Sequence, residues 1–221
     1  NLVRYADDFI VTADTEALLR DEVKPVIEEF LADRGLELSE EKTRIVRIED
    51  GFDFLGQHVR KYNGKLLIKP ARKSVTRLLA KVREVLKANP STPTAAVIRQ
   101  LNPIIRGWAN YHRHVCSKDT FSYVDWQIWR KVWRWAKRRH PMKSAGWVKD
   151  RYFPTQGTRQ WVFTGVSEGG LDVHLVAAAA KPIQRHIKVQ GTANPYDPLH
   201  SAYFARRRAN KGRGRASKGG L

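Results

Sequence analysis

Cysteine is almost missing from this chain, since Cys116 is the only one among 221 residues. That count excludes an intramolecular disulfide framework and any multi-cysteine zinc site, and it fits a reducing compartment. The sequence also has no run of about 18 apolar residues, which excludes a transmembrane helix in this stretch. It begins without Met and without a signal peptide. Because the first residues already read as a strand, we expect a fragment of a longer protein.

Acidic residues are scarce, with 22 Asp and Glu against 41 Lys and Arg and a net charge of +19. Such a surplus points to a polyanion, either nucleic acid or an anionic membrane surface. Residues 1–60 carry 8 basic and 15 acidic side chains, a net of −7, whereas residues 61–221 carry 33 and 7, a net of +26. Two solvated surfaces of opposite sign would explain this contrast. The seven tryptophans interleaved with the basic residues favour two separate functions instead.

Two adjacent carboxylates lie between two short β-prone runs near the start of the chain. Residues 2–6 and 9–13 predict a hairpin with Asp7 and Asp8 at its tip. Like charges so close repel each other, and a divalent cation relieves that repulsion. Hard Mg²⁺ prefers carboxylate oxygens, and paired Mg²⁺ ions serve phosphoryl transfer. A solvated Asp-Asp turn is the alternative.

The rest of the acidic segment predicts a small α/β unit. Apolar residues at spacings of three and four predict a helix over residues 16–34. Alternation of apolar and polar residues predicts strands over residues 36–38 and 43–48. A further hairpin is expected over residues 52–60, with residues 65–68 added across Asn-Gly, the strongest short hairpin signal.

Five ordered segments carry a family resemblance. Tyr5-Ala6-Asp7-Asp8-Phe9 resembles the palm motif of reverse transcriptases in the form that group II intron-encoded proteins use. Residues 35–43 resemble the following palm block, and residues 51–56 resemble the block that holds the primer strand. Residues 106–112 resemble the maturase-specific, or thumb, domain. Residues 194–198 are similar to a stretch near the C-terminal DNA-binding and endonuclease region, so that the resemblance covers about residues 1–205.

The resemblance implies roles for individual residues. Asp7 and Asp8 would ligate Mg²⁺ in a two-metal site that residues outside this chain complete, so the isolated chain is expected to be inactive. Lys42 would assist the leaving pyrophosphate, although a surface lysine in a turn is the alternative. The residues expected to contact the incoming deoxynucleotide triphosphate or the primer are Tyr5, Ala6, Phe54, Leu55 and Gly56. Gly56 would allow close approach of the backbone to nucleic acid, or would simply end a strand.

The basic segment predicts three amphipathic helices, over about residues 74–88, 96–111 and 120–139. They would form a helical thumb that docks on RNA through phosphates and shape. The candidate RNA-binding residues are Arg72, Lys73, Arg77, Lys81, Arg106, Asn110, His112, Arg113, Arg130, Arg134, Lys137 and Arg138. Trp126, Trp129 and Trp133 predict either a packed core stripe or a base-stacking platform.

A zinc site at His112, His114 and Cys116 is disfavoured, because alternate positions of a helix point to different faces. The last third predicts a short helix over residues 146–153 and a hairpin from residues 159–164 and 171–175. We expect an α+β fold in four segments: palm over 1–69, helical thumb over 70–141, a small α/β region over 142–204, and a disordered basic tail over 205–221.

The function expected from the resemblance is an RNA-directed DNA polymerase that also acts as a splicing maturase. Its partners would be group II intron RNA, a primer–template or RNA–DNA duplex, and deoxynucleotide triphosphates, with no membrane. A maturase without polymerase activity, or a retron or CRISPR-type reverse transcriptase, is the alternative. The expected location is the bacterial cytoplasm, or otherwise an organelle.

Overall fold

The first two strands form the predicted hairpin. The computed structural model describes residues 1–185, 189–191 and 193–216, with only the backbone for 210–216. Strand β1, Leu2–Tyr5, pairs antiparallel with β2, Asp8–Val11, and Tyr5 lies opposite Asp8. Two residues therefore make the turn, and Ala6 adopts a positive φ of 53° there. This tight turn places both carboxylates at one end of the hairpin.

The predicted first helix is present but contains a wider turn. A π-helical segment, Leu18–Val23, leads into helix α1, Lys24–Ala32. Pro25 has no N–H to donate, and its ring would crowd the carbonyl four residues earlier in a regular α-helix. The Lys24 N–H donates to the carbonyl of Leu19, five residues back. The π segment thus accommodates the proline without ending the helix.

The strands predicted over residues 36–38 and 43–48 are wrong. The structure has turns and irregular backbone between Asp33 and Gly51. Leu36 and Val46 are 55% and 44% exposed. An alternating sequence forms a strand only where a neighbouring strand can pair with its backbone. In the described part of the chain, no strand pairs with this segment.

The second predicted hairpin is confirmed and belongs to a three-stranded antiparallel sheet. Its strands are β3, Phe52–Phe54, β4, Gln57–Tyr62, and β5, Lys65–Pro70, with β4 in the centre. Asn63 and Gly64 form the β4–β5 turn and both have positive φ values, 46° and 80°. That conformation suits Asn-Gly and explains why this hairpin is readable from the sequence.

Four helices follow the sheet and supply most of the core. They are α2, Arg72–Ala88, α3, Thr94–His112, α4, Lys118–Arg139, and α5, Ala145–Tyr152. The three long helices are amphipathic, as predicted, and their apolar faces meet. The side chains that are at most 1% exposed include Val82, Val97, Ile98, Leu101, Ile105, Phe121, Val124, Ile128 and Val132. Burial of these aliphatic and aromatic groups is what holds the bundle together.

Helices α2 and α4 lie side by side and run in the same direction. Near their N-terminal ends, Arg72 and Tyr123 line the same groove. Near their C-terminal ends, the Trp135 indole N–H donates to the carbonyl of Asn89 at 2.9 Å. This parallel arrangement places the exposed side chains of α2 next to those of α4.

A small hairpin packs on helix α3. Strand β6, Thr164–Val166, pairs with β7, Asp172–His174. The second predicted strand, over residues 171–175, is confirmed, whereas the first, predicted over residues 159–164, is wrong except at Thr164. The Asn102 side chain fixes the hairpin to the helix, donating to the carbonyl of His174 and accepting from the Val176 N–H, both at 2.9 Å. A Cβ on Gly165 would lie 2.4 Å from the backbone nitrogen of Ala95. The strand can therefore lie against the start of α3 only because residue 165 is glycine.

A half-buried carboxylate secures the segment after this hairpin. The Ala178 and Ala179 N–H groups donate to Asp125 at 2.7 and 2.9 Å, at the start of the 3-10 turn Ala178–Ala180. Burial raises the pKa of Asp125, and the two backbone hydrogen bonds and nearby Arg159 and Lys118 oppose that rise. Asp125 therefore anchors the chain rather than facing a ligand.

The structure divides into two units, Asn1–Gln184 and Arg185–Leu221. The second contains a 3-10 turn, Pro198–His200, and helix α6, Ser201–Ala216. The tail expected to be disordered begins at residue 205, within α6, and its residues 217–221 lie outside the described part; the disorder stays a prediction. No described helix is both long and apolar enough to cross a bilayer. The fold is α+β, as predicted.

Candidate functional site

The two predicted metal ligands occupy the tip of the first hairpin. Asp7 ends the turn and Asp8 begins β2, so their backbones are fixed by the pairing of Tyr5 with Asp8. Both residues are exposed, and neither forms an ion pair with any residue that the structure describes. Two free carboxylates are a donor set that suits Mg²⁺. Within the described ranges, no third Asp, Glu, His or Cys joins them in a cluster that could hold a metal ion.

The predicted primer-contacting residues Phe54, Leu55 and Gly56 form the β3–β4 turn. Leu55 and Gly56 both have positive φ values, 48° and 72°. The Tyr111 hydroxyl, from the last turn of α3, donates to the Leu55 carbonyl at 2.5 Å. The Ala71 N–H, at the start of α2, donates to the Gly56 carbonyl at 3.0 Å. Contacts from two helices thus hold this turn.

A third contact is made by Gln57, the residue that follows this turn. The side-chain amide of Gln57 donates to His114 Nε2 at 3.0 Å. Tyr111 and His114 lie within or directly after the Arg106–His112 segment that resembles the maturase domain. That segment therefore contacts the β3–β4 turn, a connection that the sequence alone does not predict.

The remaining predicted catalytic residue, Lys42, lies in an exposed turn and its N–H donates to the Ser39 carbonyl at 3.1 Å. Among the described residues, no hydrogen bond or ion pair joins Lys42 or the Phe54–Gly56 turn to Asp7 or Asp8. The roles of these residues stay predictions.

His112 is placed differently from the RNA-contacting position predicted for it. Its side chain is 0% exposed, and its Nε2 lies 3.0 Å from Ser74 Oγ, which also accepts the Trp108 indole N–H at 3.0 Å. The indole can only donate, so Ser74 Oγ accepts from Trp108 and also shares a hydrogen bond with His112 Nε2. Burial, together with nearby His114, lowers the pKa of His112 to about 4. A fully buried imidazole cannot reach RNA, so this prediction is wrong.

The other cations predicted to bind RNA do face solvent. Arg72, Lys73, Arg77 and Lys81 are exposed on α2, and Arg130, Arg134, Lys137 and Arg138 are exposed on α4. None of them forms an ion pair within the described residues. We call these two rows the basic face. On α3, Arg106 and Asn110 are exposed, whereas Arg113 is half-buried.

Lys131, which was not among the predicted residues, lies in the same region. Partial burial lowers its pKa, and the positive charges of Arg134, Arg83 and Arg130 lower it further. Arg83 belongs to α2 and the other two belong to α4. Positive charge is therefore concentrated enough between the two helices to disfavour protonation of a lysine. Lys131 is part-buried, so the helical spacing of the solvent-facing cations does not include it.

The tryptophan stripe divides into two environments. Trp129 and Trp133 stack on each other with centroids 5.6 Å apart and also contact Phe153 and Trp161. These two are packing residues. Trp126 is 51% exposed. The stripe therefore contains two packed tryptophans, Trp129 and Trp133, and one that is open to solvent, Trp126.

His112, His114 and Cys116 do not form a metal centre. Ser74 and Gln57 engage the two histidines, and Cys116 is exposed. In the part of the chain that the structure describes, no three potential ligands come together.

Two protein-family models match parts of the chain that contain these features. Residues 75–153 match the model "Group II intron, maturase-specific domain", and residues 1–59 match "Reverse transcriptase (RNA-dependent DNA polymerase)". The chain belongs to the group II intron reverse transcriptase/maturase family. No curated protein matches it. The reverse transcriptase match contains the carboxylate hairpin and the Phe54–Gly56 turn, and the maturase-specific match contains nearly all of α2 and the whole of α3 to α5.

Proposed function

We propose that this reverse transcriptase/maturase chain binds structured intron RNA through the basic face of α2 and α4. The observation that carries this proposal is the uncompensated positive charge of that face. Cations that stabilise a fold normally have carboxylate partners nearby, whereas none of these forms an ion pair with a described residue. Phosphates supply the missing negative charge, and they do so for any nucleic acid sequence.

We further propose that Asp7 and Asp8 hold Mg²⁺ for RNA-directed DNA synthesis. The bound ion would supply positive charge next to the reacting phosphate. The hairpin holds Asp7 and Asp8 at consecutive positions of its tip, and Tyr5 and Ala6 precede them at the expected nucleotide and primer end. Lys42 would lie near the pyrophosphate, and Phe54, Leu55 and Gly56 would contact the primer strand of a primer–template duplex.

A maturase without polymerase activity is the second candidate. The basic face lies largely within the maturase-specific match and supports RNA binding whether or not DNA is synthesised. That match also favours the intron group over retron and CRISPR-type reverse transcriptases. The intact Asp7-Asp8 pair favours retention of the polymerase function.

Neutralising three cations of the basic face should weaken RNA binding and reduce its dependence on salt. Changing Arg130, Arg134 and Arg138 to Gln removes up to three phosphate contacts. Each contact releases about 0.7 to 0.9 of a counterion, so the slope of log K against log salt should fall by about 2. Binding to structured intron RNA, measured by filter retention over a salt series, gives this slope.

A variant with Arg44, Lys61 and Lys65 changed to Gln is the matched control, because it loses the same charge from exposed positions outside the basic face. We expect its salt slope to stay close to that of the unmodified chain. Equal slopes for the two triple variants would contradict the proposed interface.

The 221-residue chain alone should not extend a primer. The described residues bring only two carboxylates together, whereas a pair of Mg²⁺ ions needs further oxygen ligands from protein. In a primer-extension assay with Mg²⁺ and deoxynucleotide triphosphates, its product should equal that of an Asp7→Asn, Asp8→Asn variant. Synthesis clearly above that background would refute this expectation.

A further inference from the structure

Two large aromatic side chains on α4 lie open to solvent. Tyr123 and Trp126 are each 51% exposed, and their ring centroids are 6.5 Å apart. Neighbouring Phe121 and Val124 are 0% exposed, so the inner face of the helix is already filled. Half-exposed aromatic rings leave apolar surface in water, which favours a bound partner. We call Tyr123 and Trp126 the aromatic pair.

Positive charge surrounds the aromatic pair. The Arg130 guanidinium lies 4.6 Å from the Trp126 ring centroid, a cation–π contact that orients both groups. On the other side, Tyr123 lines a groove with Lys69 and Arg72. The only carboxylate among its described lining residues is Asp53, which accepts a hydrogen bond from His58 Nδ1 at 2.8 Å. Cations thus lie on both sides of the rings.

We propose that the aromatic pair is a stacking site for unpaired nucleotides of RNA. Bases would stack on the open faces of Tyr123 and Trp126, while Arg130, Lys69 and Arg72 contact the flanking phosphates. This inference rests on the proposed RNA-binding function and assigns a specific part of the interface to single-stranded RNA.

Charge and exposure together favour this occupant over a duplex. A paired base is covered above and below by its neighbours, so only an unpaired base offers its face to an aromatic ring. Phosphates alone would explain the cations but would leave the rings without a partner. Two neighbouring exposed rings with Arg130 on one side and Lys69 and Arg72 on the other are the arrangement expected for a single strand.

The test compares Trp126→Leu and Tyr123→Leu with the unmodified 221-residue chain. The probes are a short single-stranded adenylate RNA and the same strand paired with uridylate RNA. Loss of one stacked base should weaken binding of the single strand roughly tenfold. Binding of the duplex should change by less than about twofold, and the salt slope should stay the same because no charge is removed.

Tyr196→Leu is the control, since Tyr196 is 92% exposed in the second unit and its loss removes an exposed ring without touching α4. Far-ultraviolet circular dichroism verifies that each variant is folded. If the unmodified chain binds neither RNA, the proposed RNA-binding function fails. If it binds and the Trp126 and Tyr123 variants match the Tyr196 control on single strands, the stacking site alone is refuted.

Discussion

Gly165→Ala should destabilise this protein by about 3 kcal/mol, although it adds only one methyl group. The new Cβ would lie 2.4 Å from the Ala95 nitrogen and 2.8 Å from two atoms of Thr94. The Ala95 nitrogen and the Thr94 carbonyl carbon belong to the rigid backbone, so the β6–β7 hairpin must shift to relieve these two contacts. A shift strains the two Asn102 hydrogen bonds that hold the hairpin on α3. Overpacking of this kind typically costs 1–3 kcal/mol and sometimes more.

Chemical denaturation followed by tryptophan fluorescence measures this loss as a lower midpoint. Gly169→Ala is the matched control in the same hairpin, because its added Cβ has no atom within 4 Å. That change should alter the free energy of unfolding by less than about 1 kcal/mol. A Gly165→Ala protein that unfolds at the same denaturant concentration as the control would show that the close approach is wrong.

Acid should destabilise the fold through His112, by about 3 kcal/mol between pH 7 and pH 4. Burial lowers the pKa of this imidazole from 6.5 to about 4. Below pH 6.5 the His112 imidazole binds a proton in the unfolded chain but stays neutral in the folded protein, so the free energy of unfolding falls as the pH falls. The loss levels off near the folded pKa, and each unit of pKa shift corresponds to 1.36 kcal/mol.

The measurement is the difference in unfolding free energy between the unmodified chain and His112→Phe at several pH values. Phe fills a similar volume beside Trp108 and cannot titrate, so other acidic groups cancel in the difference. This difference should shift in favour of the variant as the pH decreases from 6.5 to 4. An NMR titration of the His112 ring gives its pKa directly. A pH-independent difference, or a ring that titrates near 6.5, would contradict the buried network.

Local signals were enough to predict the hairpins and the long helices. The Ala6-Asp7 turn, the Asn63-Gly64 turn and the apolar periodicity of α2 to α4 depend on neighbours within a few residues. The strands expected over residues 36–48 were wrong because a strand depends on a distant pairing partner, which alternation does not report. Pro25 indicates a disturbance of the first helix, but the sequence alone does not specify that the disturbance takes the form of a π-helical segment.

The sequence predicts most of the residues of the candidate site, but it does not predict which of their side chains are exposed and which are buried. The cations of α2 and α4 face solvent as their helical spacing implies. His112 has a side chain equally suited to RNA, yet it is buried and forms a hydrogen bond with Ser74, which lies 38 residues away in the sequence. Trp126 and Trp129 are three residues apart in the sequence and differ in exposure because only Trp129 meets Phe153 and Trp161.

The contacts of the Phe54–Gly56 turn affect how this protein can be dissected. The family matches leave residues 60–74 between them, which invites a cut there to obtain a separate maturase domain. Such a cut would remove the acceptor of the Tyr111 hydroxyl and, if made after β5, the Ile68 carbonyl that accepts from the Cys116 N–H at 2.9 Å. A stably folded maturase fragment should therefore begin before Gly51, so that it retains the three-stranded sheet and the hydrogen bonds between the sheet and the helices.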